Sequence, residues 1–69
     1  MNEPLLTVEE VAQRLRLDVE AVRRYLRRGE LAGMRFGNRG GWRISEADLA
    51  AFLAARRAEA ERAAQRADE

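Results

Sequence analysis

The sequence predicts a mainly α-helical domain with one small β-hairpin, and three observations carry that expectation. Two stretches of apolar residues recur at helical spacing, with only Arg16 and Leu17 between the first and the cap of the second. A glycine-rich reversal over residues 37–41 separates two short segments that alternate apolar and basic residues. A third helical stripe of Leu49, Phe52 and Leu53 follows a serine cap at Ser45. At 69 residues the chain is one small domain, close to the lower size at which a single apolar core holds itself together.

Residues 1–4 are expected to form a flexible N-terminus. Leu5 and Leu6 are read as a very short strand or a simple apolar plug. Thr7-Val8-Glu9-Glu10 is a capping box, in which the Thr7 hydroxyl reaches the Glu10 amide and the Glu10 carboxylate reaches back. The helix it opens buries Val8, Val11, Ala12 and Leu15 and exposes Glu9, Glu10, Gln13 and Arg14, ending near Leu15 or Arg16. Asp18 and Gly29 then bracket a second helix of about three turns. Val19, Val22 and Leu26 form its core side, and Glu20, Arg23, Arg24 and Arg27 point elsewhere. The short link between the two forces a compact, angled pair, the helix-turn-helix arrangement.

Beyond Gly29, Met34-Arg35-Phe36 and Trp42-Arg43-Ile44 alternate as half-buried strands about Gly37-Asn38-Arg39-Gly40-Gly41, whose glycines and Asn tolerate positive φ. The expected product is a two-stranded wing over residues 34–44. Its inner face would carry Met34, Phe36, Trp42 and Ile44, and its tip and outer face Arg35, Arg39 and Arg43. The third helix starts at Glu46. After Leu53 the larger apolar residues stop, and residues 54–69 are Ala, Arg, Glu, Gln and Asp, which predicts a solvated helical or disordered tail, with an oligomerisation helix as the second reading. The organised domain is therefore expected to span residues 5–53. Its fold class is winged helix-turn-helix, three helices plus the wing, with the last helix extended by the Ala/Arg/Glu tail.

Composition narrows the function. The chain has no Cys and no His, so disulfides and the usual zinc ligand sets are excluded. No nucleophile and base can be paired from scattered carboxylates, and no enzyme, cofactor or small-molecule ligand is expected. No apolar run at the amino terminus is long enough for a signal peptide or a membrane span, which predicts a cytoplasmic protein. Net charge is +1, yet the residues up to Ser45 hold nine Arg against six acids and the remainder four against six. That asymmetry marks a basic working domain followed by a tail of different purpose. All thirteen basic residues are Arg. A genome rich in G and C accounts for the bias, and the planar guanidinium fork suits phosphate and guanine in either case.

A helix packed behind and cationic in front fits the major groove of a duplex. Arg23 and Arg27 lie four apart on one face and are the leading contacts. Arg24 and Arg28 lie further round, where Glu20 or Glu30 can pair with them. Glu20 favours the helix dipole, or accepts from a cytosine amino group. Tyr25 sits beside the apolar stripe, so its ring packs while its hydroxyl can meet a phosphate. Asn38, Arg39 and Gly40 at the wing tip have no core role and are assigned to backbone or minor groove, together with Arg35 and Arg43. Arg14 offers one further phosphate contact, from the first helix.

These residues carry a family likeness. The runs Leu6-Thr7-Val8-Glu9-Glu10-Val11-Ala12, Val22-Arg23-Arg24-Tyr25-Leu26-Arg27-Arg28-Gly29-Glu30-Leu31, Arg35-Phe36-Gly37, Trp42-Arg43-Ile44 and Asp48-Leu49-Ala50-Ala51-Phe52-Leu53 resemble the winged helix-turn-helix domain of the excisionase-like and MerR-like superfamily. The resemblance implies binding of double-stranded DNA, with the second helix, residues 18–28, in the major groove and the wing on adjacent backbone or minor groove. By that likeness Arg23 and Tyr25 match DNA-contacting positions, and Arg39 and Arg43 match the basic wing. Three departures stand out: the turn Arg16-Leu17-Asp18 where a Gly is often found, Arg24 where MerR proteins commonly carry an aromatic, and the extra Gly40-Gly41. Nothing after Leu53 matches an effector-binding region, so small regulators of transcription and recombination directionality factors resemble the chain better than true MerR proteins. Cooperative loading of several copies on DNA, or a protein partner on the C-terminal helix, is the further expectation. The alternative is a protein-interaction module that turns the same Arg face toward an acidic protein.

Overall fold

The computed structural model describes residues 4–37 and 41–67. The elements run β1 (Leu6–Thr7), α1 (Val8–Leu15), α2 (Val19–Arg27), β2 (Met34–Arg35), β3 (Trp42–Ile44) and α3 (Glu46–Ala67). Three helices and a small antiparallel sheet of order β1-β3-β2 make a winged helix-turn-helix. The sheet has one strand more than the expected wing, because Leu6 pairs with Ile44 and Thr7 with Arg43. Of the two readings of Leu5-Leu6, the strand is the one found; Leu6 is buried while Leu5 is exposed.

Local chemistry sets the helix boundaries. At the start of α1 the capping box is complete: the Glu10 amide donates to Thr7 Oγ1 at 3.1 Å, and the Thr7 amide to Glu10 Oε1 at 2.8 Å. Asp18 caps α2 by accepting from the Ala21 amide at 2.8 Å. Ser45 does the same for α3, accepting from the Asp48 amide at 3.0 Å. Both α1 and α2 end in a Schellman motif. After α1 the Leu17 amide donates to the Ala12 carbonyl at 2.9 Å and the Arg16 amide to that of Gln13 at 3.3 Å, with Arg16 in the left-handed region at φ 58°. After α2 the Glu30 amide donates to the Tyr25 carbonyl at 3.0 Å and the Gly29 amide to that of Leu26 at 3.1 Å, with Gly29 at φ 78°. This second reversal turns Leu31 back into the core, where it is 1% exposed.

The core collects Leu6, Val8, Val11, Ala12, Val22, Leu26, Leu31, Ile44, Leu49 and Phe52, with Leu15, Val19, Tyr25 and Trp42 packed around it. Every helix and the sheet contribute to this one cluster, as a domain this small requires. Gly33 is wedged against it. A β-carbon there would lie 2.8 Å from Leu26 Cδ2 and 3.4 Å from both the Arg43 carbonyl oxygen and Ile44 Cγ1.

The hairpin register corrects the expected faces. Met34 pairs with Arg43 and Arg35 with Trp42, and the Phe36 amide donates to the Gly41 carbonyl at 3.0 Å. Cross-strand partners share a face, so Met34 and Phe36 stand with Arg43 on the outer side, 42% and 49% exposed. Arg35 falls on the Trp42 face instead of the outer one, its guanidinium 5.7 Å from the indole centroid. Ile44 remains inside, Trp42 is half-buried, and Arg43 is outward as expected.

Leu53 also departs from expectation. It is 44% exposed, so only Leu49 and Phe52 anchor α3 to the core. The helix continues unbroken to Ala67, and its overhang stretches the molecule to 48 Å along its longest axis. A compact chain of this size would have a radius of gyration of about 11 Å, against the observed 13.9 Å.

Candidate nucleic-acid interface

The second helix of the pair is held by its apolar side and presents a cationic one. Val22 is fully buried and Leu26 is 4% exposed, which fixes the rotation of α2 about its axis. Glu20, Arg24, Arg27 and Arg28 consequently lie on the exposed side, with Arg23 half-buried at its flank.

The ion pairs on this face differ from the expected distribution. Glu20 bridges Arg23, at 3.2 Å from Oε2 to Nη1, and Arg27, at 3.5 Å from Oε1 to Nη2. Arg24, expected to share Glu20, has no ion pair among the described residues, because on a helix the i, i+3 and i, i+7 positions converge on one flank and i+4 faces straight out here. Arg28 lies 4.0 Å from Glu30, as the sequence suggested. All these groups stay wet: the Glu20, Arg23 and Arg27 side chains are 67%, 42% and 58% exposed. An exposed pair is worth about 0.2–1 kcal/mol, so a phosphate or base edge can replace the Glu20 carboxylate at little cost.

Tyr25 points the other way. Its ring packs on Phe52 with centroids 5.1 Å apart and planes tilted by 58°. The Arg56 guanidinium stacks over both, 4.8 Å from the Tyr25 centroid and 5.3 Å from that of Phe52, and bonds Glu30 at 3.0 Å. Arg56 thus ties the helical extension beyond Leu53 to the end of α2. The sequence reading missed it, although Arg56 continues the Leu49 and Phe52 spacing at i+7 and i+4. Its competition for Glu30 also leaves Arg28 only the longer contact.

Arg14 is engaged elsewhere. Its guanidinium makes a two-point pair with the Glu46 carboxylate, 2.7 Å and 2.9 Å, joining α1 to the first turn of α3. The hydrogen bond to Arg14 holds the Glu46 carboxyl below its ordinary range, and the same contact raises the Arg14 pKa. The arginine that the sequence offered as a phosphate contact from the first helix is thus paired with Glu46, with half of its side chain still exposed. On the hairpin, Arg43 Nη1 donates to the Trp42 carbonyl at 2.9 Å and Arg35 covers the indole. Asn38, Arg39 and Gly40 lie outside the described residues, although Gly37 and Gly41 on either side have the positive φ expected of the reversal, 63° and 73°.

Residues 5–57 match the family described as a helix-turn-helix domain. The chain belongs to that family. The excisionase-like likeness drawn from its motifs stands with it, and the protein is a DNA-binding helix-turn-helix protein. In this helix-turn-helix domain α1 and α2 are the paired helices and Arg16 to Asp18 the turn. The family match runs through Arg56 and Arg57, so it takes in the residue that clamps α3 onto Tyr25. No curated protein matches the chain. Among the described residues of the helix-turn-helix domain, no helix is long and apolar enough to cross a membrane.

Proposed function

We propose that the domain binds double-stranded DNA sequence-selectively, with α2 in the major groove and the 34–44 hairpin on the adjacent backbone or minor groove. One observation supports this reading above the others: α2 is held by the buried Val22 and Leu26 on one side while Arg24 and Arg27 stand exposed on the other and Arg23 lies half-buried at the flank. Arg23 and Arg27, oriented by Glu20, are assigned to base edges together with Arg24; Arg35, Arg39 and Arg43 are assigned to phosphates and sugars, with Asn38 at the tip. A single module of this size makes a small interface. Useful selectivity then comes from several copies on neighbouring sites or from a protein partner, as befits a small transcriptional regulator or an excisionase-like directionality factor acting at the nucleoid.

Selection of bound duplexes from a random pool, followed by titration across salt concentrations, tests the proposal. Affinity should fall linearly on logarithmic axes with salt. Arg23→Ala should change base preference, whereas Arg39→Ala should weaken all sequences alike and reduce the salt slope by about one. Absence of duplex binding even at low salt would leave an acidic protein as the partner of the Arg face.

A further inference from the structure

The hairpin presents an apolar pair that the core does not use. Phe36 is 49% exposed and Met34 42%, on the face they share with Arg43. Phe36 follows the last paired residue, Arg35, and precedes the Gly37 turn, where its amide closes the hairpin onto the Gly41 carbonyl. Core packing does not explain it, since the inner face of the sheet is already filled by Leu6, Ile44 and Trp42. Two half-exposed side chains offer roughly 200 Å², below the few hundred Å² of a contiguous protein-docking patch. An apolar pair that shares its strand face with the basic Arg43 suits instead a surface that is anionic at its edges and apolar within. The minor groove of a duplex is such a surface, with sugar and base edges between two phosphate rows.

We propose that Phe36 is a wedge: the hairpin enters the minor groove, the ring inserts at a deformable pyrimidine–purine step, and Met34 lies against the sugar edge behind it. Insertion partly unstacks that step and bends the duplex toward the major groove, as apolar wedges do. The inference rests on the DNA-binding reading and adds to it a deformation of the bound duplex. Selectivity then arises in part at a step no polar group reads, because flexible steps cost less to open.

The test uses the full chain on its selected duplex, with 2-aminopurine at successive positions and a donor–acceptor dye pair at the ends. Wild type should brighten 2-aminopurine at one step and shorten the end-to-end distance. Phe36→Ala should abolish both signals and weaken binding by about tenfold, the loss expected for one aromatic–base contact, with the salt slope unchanged because no charge is altered. Phe36→Leu should retain both signals, and Leu53→Ala, which removes an equally exposed apolar residue on α3, should change nothing. Binding with a straight, fully stacked duplex, or an unchanged bend in Phe36→Ala of native circular dichroism, overturns the wedge while leaving DNA binding intact. Failure of wild type to bind any duplex overturns both.

Discussion

Arg16 and Gly29 close their helices with the same pair of hydrogen bonds, yet substitution should move stability in opposite directions. Arg16 occupies φ 58°, ψ 41°, where a β-carbon crowds the following carbonyl. That crowding costs about 1–2 kcal/mol. Arg16→Gly removes it, and the looser unfolded chain takes back about 0.5–1 kcal/mol. The net gain should be about 0.5–1 kcal/mol, or roughly 3–6 °C in Tm for a domain of this size. At Gly29, φ is 78° and an added β-carbon would meet nothing within 4 Å, so strain alone decides. Gly29→Ala should therefore destabilise by about 0.5–1 kcal/mol. Thermal and urea unfolding followed by circular dichroism at 222 nm reads both variants. A loss of stability in Arg16→Gly would refute the reasoning, because it would mean that the Arg16 side chain stabilises the turn by more than its backbone costs.

Glu20→Gln should release Arg23 and Arg27 from their shared carboxylate, raise sequence-independent affinity by about threefold, and steepen the salt slope by about one; a decrease in non-specific affinity would contradict the bridging role. Gly33→Ala should lower stability by about 1–2 kcal/mol through overpacking, since the new methyl meets Leu26 in the core and the Arg43 carbonyl, and unchanged urea midpoints would show that the site can relax. The Arg14–Glu46 pair predicts a pH effect. The Glu46 pKa is lowered in the folded state, so its contribution is present above the unfolded carboxyl value and is lost as pH falls through the lower folded one. Glu46→Gln should therefore be less stable than wild type at pH 7 and converge with it in acid; a constant difference in Tm down to pH 2 would exclude the linkage.

The helices were legible because their signals are local. Thr7, Asp18 and Ser45 announce the starts, Gly29 the end of α2, and the 3.6-residue periodicity identifies Val11, Val22 and Leu26 as core. The hairpin faces were not legible. Both strands alternate, so each could bury either set of residues, and a shift of pairing by one position exchanges them. Met34, Phe36 and Arg35 were misplaced for that reason alone. Leu31 escaped notice because no periodic pattern contains it; only the reversal at Gly29 brings it inside.

In the candidate interface, the cationic character of α2 was readable, while its charge pairing was not. A linear reading shows that Glu20 can reach several arginines, but the rotation of α2 set by Val22 and Leu26 selects Arg23 and Arg27 and leaves Arg24 outward. Arg56 is the same case over a longer range. Its spacing from Phe52 is visible in the chain, and its clamp on Tyr25 and Glu30 exists only because α3 packs beside the end of α2.

Sequence alone therefore determined where the three helices start, where the first two stop, and that one of them carries a packed side and a basic side. These follow from caps, turn residues and periodicity, which act within a few residues. Tertiary structure alone decided the hairpin register, the partner of each guanidinium and the anchoring of the long third helix. Each depends on how elements distant in sequence rotate against one another to fill a common core, and on that scale small differences in packing select among pairings that the chain permits equally.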